Sequence, residues 1–110
     1  MKNVLITGAG SGFGKGASLA LAARGHHVIA TTETDAQADA LRLEAPQLRV
    51  ERVDITTDDV DKLRDMEIDV LINNAGFGQT GPLADVPEAI VRKVFDVNVF
   101  GTLRVTQAVL

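Results

Sequence analysis

The stretch "TGAGSGFGKG", residues 7–16, places five glycines in ten positions directly after a short apolar run. Glycine lets backbone approach a ligand with no Cβ in between, and it takes turns closed to other residues. Two phosphate-holding loops share this composition, and counting separates them. A nucleoside-triphosphate loop needs glycine, four residues, then Gly-Lys and a hydroxyl for Mg²⁺. Here Ala9 and Gly16 stand where that glycine and that hydroxyl would be. The G-x-G-x-x-G spacing fails too, because Phe13 or Lys15 falls at its third glycine. The spacing present is Thr7-Gly8-x-x-x-Gly12-x-Gly14. Gly8 suits the tight turn, Gly12 and Gly14 suit close approach to a pyrophosphate, and Phe13 lies between them. The amides that open the next helix would then point at the anion. A tight strand–helix turn without a ligand is the plainer alternative.

Three other places could do chemistry. Asp54 closes "LRVERVD", where its carboxylate could accept from an adenine amino group while the Ile55 amide serves a ring nitrogen. Its competing role is a helix cap, which Thr56, Thr57 and Asp58 could equally supply. In "NNAG", residues 73–76, Asn side chains can bond neighbouring backbone and Gly76 can let the chain pass close to a ligand. An ordinary turn is the alternative there. Asn98 interrupts a stripe of Val94, Gly101, Val105 and Ala108 at steps of three and four. Burying its amide costs roughly 1–3 kcal/mol unless it finds partners, so a structural hydrogen bond to a nearby loop is the first expectation.

The elements that must position these residues alternate. "NVLIT" (3–7) is an unbroken apolar run, the pattern of a parallel strand buried on both faces. A helix rich in Ala and Leu follows over 12–25, with Gly25 placed to end it. The pattern continues with a strand at 27–32, a helix at 35–45 stopped by Pro46, and a strand at 48–54. A short capped helix at 57–66 and a strand at 68–73 come next, and a long helix runs from about Pro87 to Leu110. Strand–helix alternation builds a parallel sheet with right-handed crossovers. The expected fold is α/β, a Rossmann-type doubly wound parallel sheet with about four strands in the order 3-2-1-4. Ligands of such sheets bind at the carboxyl ends of the strands where the winding reverses, between strands one and four. Both glycine-rich loops, 8–14 and 76–81, fall there.

Composition narrows the class. The chain has 110 residues, 45% hydrophobic and 24% charged, room for one small domain. Without cysteine it has no disulfide framework, thiolate metal site or thiol nucleophile. "MKNVLITG" reads as a buried strand and no run suits a membrane span, so a cytoplasmic protein is expected. The net charge of −4 is uneven, with twelve acidic against five basic residues over 33–69. Four Phe are the only aromatics and no basic stripe exists, which speaks against nucleic acid. His26 and His27 open the second strand away from the crevice and carry no metal-site signal.

Taken together, Thr7-Gly8-x-x-x-Gly12-x-Gly14, D-I-T at 54–56, NNAG at 73–76 and "DVNVFGTLRVTQAVL" at 96–110 resemble the short-chain dehydrogenase/reductase family, in its order and at about its spacing, over essentially the whole chain. "NNAGFGQTGPLADV" is also similar to the hydroxysteroid-dehydrogenase-like branch. The resemblance implies NAD(P)-dependent hydride transfer between an alcohol and a ketone. It implies that Thr7, Gly8, Gly12, Phe13 and Gly14 bind the dinucleotide, that Asp54 and Ile55 hold adenine, and that Asn74, Ala75 and Gly76 line the nucleoside. Asn98 becomes the helix Asn of the family's catalytic tetrad, holding a proton-relay water by its backbone. An acidic residue about twenty positions beyond the glycines can bond the ribose 2′-hydroxyl of NAD and repel the 2′-phosphate of NADP. Glu33 stands nineteen after Gly14, so NAD is favoured over NADP, although Lys15 and Thr32 blur the choice.

The tetrad also needs Ser, Tyr and a Lys four positions past that Tyr (Y-x-x-x-K), and this sequence has no tyrosine. The 110 residues alone are therefore expected to be inactive, a partial NAD(P)-binding domain of a longer enzyme. The last helix is apolar nearly all round and, by the resemblance, serves a homo-oligomer interface. The competing reading is a noncatalytic dinucleotide-binding sensor or partner-binding module.

Overall fold

A computed structural model describes residues 1–78 and 81–110; Gln79 and Thr80, part of the second glycine-rich loop of the sequence reading, lie outside the described residues. Four strands, β1 (Asn3–Ile6), β2 (His27–Thr32), β3 (Arg49–Arg52) and β4 (Val70–Ile72), form one sheet in the order β3-β2-β1-β4. Every pairing is parallel, with Leu5 opposite Ile29 and Leu71, and Thr32 opposite Arg52. The expected strand order is the one observed.

The strands alternate their side chains between two cores. Val4, Ile6, Val28, Ala30 and Val50 face α1 (Gly12–Ala23) and α2 (Asp35–Glu44). Leu5 and Ile29 face the other way, onto Val60, Leu63, Val105 and Ala108. Because both faces are covered, β1 reads as a continuous apolar run rather than an alternating one. Gly25 ends α1 at φ +90°, its amide donating to the Ala22 carbonyl while the His26 amide reaches the Leu21 carbonyl. That pair of bonds satisfies the orphan carbonyls of the last turn.

Two elements depart from expectation. Residues 57–66 form a 3₁₀ turn over Asp58–Leu63 rather than an α-helix. Thr57 caps it, accepting from the Asp59 amide, and the Asp59 side chain is tied back to the Asp54 amide at 3.1 Å, which holds the turn tight. The last helix is divided into α3 (Glu88–Phe95), a π-helical turn (Asp96–Gly101) and α4 (Thr102–Val109). Asn98 lies in the π turn and is exposed, not buried as the stripe implied. Gly101, Val105 and Ala108 of that stripe are buried. Phe95, Val99, Phe100 and Leu103 form an apolar ridge, each about half exposed. Among the described residues, no helix is long and apolar enough to cross a membrane.

Candidate functional site

A crevice of about 450 Å³ opens at the carboxyl ends of the strands, where β1 and β4 diverge into their loops. One wall is the turn from β1 to α1. Gly8 sits there at φ +65°, and a Cβ on it would lie 2.7 Å from the Ala75 Cα. Only glycine allows both the left-handed turn and that approach. Gly14 is wedged more tightly, since a Cβ there would meet Asn74 Nδ2 at 2.4 Å and the Gly8 carbonyl oxygen at 2.5 Å.

The loops after β1 and β4 are locked together. The buried Thr7 hydroxyl oxygen accepts from the Asn74 amide at 3.1 Å and the Ala75 amide at 3.0 Å. In return Asn74 Nδ2 donates to the Thr7 and Gly8 carbonyls at 3.2 and 3.1 Å. Asn73 Nδ2 donates to Thr106 Oγ1 at 3.0 Å, fastening α4 to the end of β4.

Helix α1 begins at this turn with its first amides uncapped. Ser11 makes no side-chain bond to them, and no acidic residue lies in the first turn. In α2 the corresponding cap is filled, Thr34 Oγ1 accepting from the Gln37 amide at 3.2 Å. A free helix N-terminus beside a glycine cradle suits an anion, which those amides and the helix dipole would stabilise.

The opposite wall comes from β2 and β3. Glu33 is exposed and lines the crevice just past Thr32. Asp54 lines it too, its Oδ1 accepting from the Thr56 amide at 3.0 Å and the Thr56 hydroxyl at 2.7 Å. Thr57, not Asp54, supplies the cap of the following turn. The Asp54 amide donates to Asp59 Oδ2. That bond, helped by Arg52 and Lys62 and opposed by desolvation, holds the Asp59 carboxyl below its ordinary pKa. The acidic pair Glu33 and Asp54 marks one end of the crevice, and Lys93, 5.5 Å above the Phe77 ring, is the cation among its lining residues. Lys15 is turned away, paired with Glu44 of α2 at 2.5 Å.

Of the residues singled out in the sequence, Gly8, Phe13, Glu33, Asp54, Ile55, Asn74, Ala75 and Gly76 line this crevice. Thr7, Gly12 and Gly14 stand outside its lining: Thr7 and Gly14 brace it from behind, and Gly12, at φ +58°, starts α1. Asn98 is likewise outside the lining. Its Oδ1 accepts from the Phe77 amide at 2.9 Å and its Nδ2 donates to the Phe77 carbonyl at 2.7 Å, the loop bond expected of it. Sequence reasoning missed Gly10, Gln37, Thr56 and Lys93 as lining residues. Gln37 was findable, since it lies in the first turn of the helix after Glu33; its side chain stands within 3.2 Å of where a Gly10 Cβ would be. A second hollow, about 550 Å³, opens at the amino ends of the strands among exposed side chains such as His27, Arg49 and Glu67. No glycine turn lines it.

The profile of the short chain dehydrogenase family matches residues 2–110. An uncharacterized oxidoreductase of Bacillus subtilis (strain 168), YusZ, is 38% identical over 121 aligned positions that take in 99% of this chain and 43% of that protein. A short-chain dehydrogenase from Streptomyces avermitilis superposes with a TM-score of 0.87 at 34% identity, over 98% of this chain and 43% of that one. The closed form of serine dehydrogenase complexed with NADP+ superposes with a TM-score of 0.90 at 29% identity, over 98% of this chain and 47% of that one. The chain thus spans less than half the length of these relatives.

Proposed function

The chain belongs to the short-chain dehydrogenase family, and we propose that it forms the cofactor-holding part of an oxidoreductase that moves hydride between an alcohol and a ketone, with NAD preferred to NADP. The observation that carries this reading is the uncapped start of α1, facing a crevice whose far end is acidic. A nicotinamide dinucleotide fits those features end to end. The α1 amides and the Gly8 turn hold the pyrophosphate, and the Asn74–Gly76 backbone lines the nucleoside. The free side of the Asp54 carboxylate and the Ile55 amide meet adenine. The bound dinucleotide supplies or accepts the hydride.

Glu33 chooses between the two dinucleotides. Its carboxylate accepts from a ribose 2′-hydroxyl and repels a 2′-phosphate. Lys15, the nearby cation that could answer a phosphate, is committed to Glu44. Asn98 ties both polar ends of its side chain to Phe77, and its main-chain carbonyl, in the π turn, is the group assigned to hold a proton-relay water. The π turn supports this, since such turns interrupt the regular helix ladder and gather at functional sites. The general acid/base for the alcohol proton is not a tyrosine of these 110 residues, so they do not complete the reaction alone. The half-exposed ridge of Phe95, Val99, Phe100 and Leu103 mates with a second copy, making the enzyme a homo-oligomer.

Fluorescence titration with NADH and NADPH tests the reading. NADH is expected to bind more tightly, and Glu33→Arg to reverse the order. Failure of both dinucleotides to bind the folded protein would sink it. Turnover of a panel of secondary alcohols that includes a hydroxysteroid examines the branch resemblance. Binding without any turnover by the whole protein would favour the noncatalytic module instead.

A further inference from the structure

The adenosine end of the crevice is built from two loops, the one after β2 that carries Glu33 and the one after β3 that carries Asp54 and Ile55. The strands beneath them are joined by the sheet, with Thr32 opposite Arg52 and the Val53 amide donating to the Thr32 carbonyl at 2.8 Å. Past the end of β3 the sheet stops, and side chains take over. Arg52 points one guanidinium nitrogen at Asp59 Oδ2, 3.0 Å away, and another at Asp35 Oδ1 in the first turn of α2, 3.4 Å away. Lys62 Nζ donates to the Arg52 carbonyl at 3.0 Å. The same Asp59 oxygen accepts the Asp54 amide at 3.1 Å. Asp59 is only 22% exposed, so its pairing with Arg52 is partly shielded from water.

The Asp59 carboxylate is not needed as a helix cap, because Thr57 already fills that role. It reaches five residues back and holds the Val53–Asp54 peptide, while the next peptide, which carries the Ile55 amide, is held at the Asp54 carbonyl by the Thr57 amide and hydroxyl. Thr56 aims the Asp54 carboxylate, while Asp59 aims the main chain on which that carboxylate is mounted. Neither Asp59 nor Arg52 lines the crevice.

We propose that Asp59, braced by Arg52, is a positioning residue for the cofactor. By holding the Asp54 amide it sets the angle at which the Asp54 carboxylate meets the adenine amino group. This rests on the dinucleotide reading above and adds a residue with no contact to the ligand. A charged acceptor orienting a backbone peptide makes a stronger bond than a neutral one, and loss of that orientation costs the adenine contacts rather than the pyrophosphate ones.

The test compares reduced NAD with its hypoxanthine analogue, in which a carbonyl replaces the adenine amino group. The unaltered protein is expected to prefer the amino form. Asp59→Ala should weaken NADH binding about tenfold, the value of about one directed hydrogen bond, and weaken the analogue much less, so that the preference falls toward unity. Asp59→Asn keeps an acceptor for the Asp54 amide but loses the charge facing Arg52, and should lie between; it decides the matter where the alanine variant does not fold. An unmoved preference, with both ligands unchanged or both weakened by a common factor, would overturn this inference alone. No dinucleotide binding by the unaltered protein would overturn the reading of the site and this inference with it.

Discussion

Gly14 and Gly16 lie two residues apart on α1, and the structure assigns opposite outcomes to the same substitution at each. A Cβ at Gly16 meets nothing within 4 Å. Gly16→Ala therefore gains helix propensity and loses unfolded-chain entropy, a stabilisation of about 0.5–1 kcal/mol. At Gly14 the new methyl would stand 2.5 Å from the Gly8 carbonyl oxygen, about 0.9 Å inside the 3.4 Å at which ordinary contact begins. The obstacle is backbone of the glycine turn and cannot rotate aside. The other obstacle, Asn74 Nδ2, is itself bonded to the Thr7 and Gly8 carbonyls. Forcing a methyl into a packed site costs about 1–3 kcal/mol, and each strained hydrogen bond adds about 0.5–1.5 kcal/mol. Set against the same propensity gain, Gly14→Ala should destabilise by about 2–4 kcal/mol and also weaken NADH binding. Urea midpoints of the two variants, measured beside the parent, give the comparison directly. If Gly14→Ala proved as stable as Gly16→Ala, the wedge between the glycine turn and Asn74 would not exist as described.

Other substitutions probe separate joints. Thr7→Val keeps the shape but strips the acceptor from the Asn74 and Ala75 amides; a loss of about 2 kcal/mol or more is expected by denaturant unfolding, with Thr7→Ser close to the parent. Gly101→Ala would put a methyl 2.7 Å from Ile55 Cγ1 and 2.8 Å from Cδ1, costing about 1–3 kcal/mol; Ile55→Val in the same chain, by removing Cδ1, should recover part of that loss. Asp59 gives a pH signature. The bond from the Asp54 amide holds its folded pKa below the ordinary carboxylate value, so its stabilisation is full above the unfolded pKa and is lost as pH falls through the folded one. The difference in urea midpoint between the parent and Asp59→Asn should be level from about pH 5 upward and shrink below about pH 4; a difference that grows on acidification would contradict the assignment.

The sheet was legible because β1, buried on both faces, appears as the bounded apolar run "NVLI", and the half-covered edge strand β4, with Val70 exposed, still appears as the short run "VLI". The glycine turn was legible because its spacing excludes the competing loops by count. Asn98 was misplaced for a geometric reason. Steps of three and four presume a regular α-helix, and the π turn over Asp96–Gly101 adds a residue to the ladder. Everything before Gly101 rotates relative to α4, carrying Asn98 off the buried face while Val105 and Ala108 stay on it. The turn at 58–63 was misread because its apolar positions, Val60 and Leu63, fit a 3₁₀ turn as well as an α-helix. What separates them is the Asp59–Asp54 bond, which no periodicity records. The diversion of Lys15 to Glu44 was hidden likewise, since it depends on how α1 and α2 pack.

The lock between Thr7 and Asn74 joins residues 67 positions apart in the chain. Contacts of such long range form late, after the entropy of closing the intervening loop has been lost. The crevice is therefore expected to form only once β4 has docked, because the Asn74 and Ala75 bonds that brace the glycine turn come from the loop after that strand. Ligand binding should therefore recognise only the chain with β4 docked, and by mass action draw the folding equilibrium toward that last step. A protease site placed in the segment between β3 and β4 would report this, becoming protected as cofactor is added and in proportion to its occupancy.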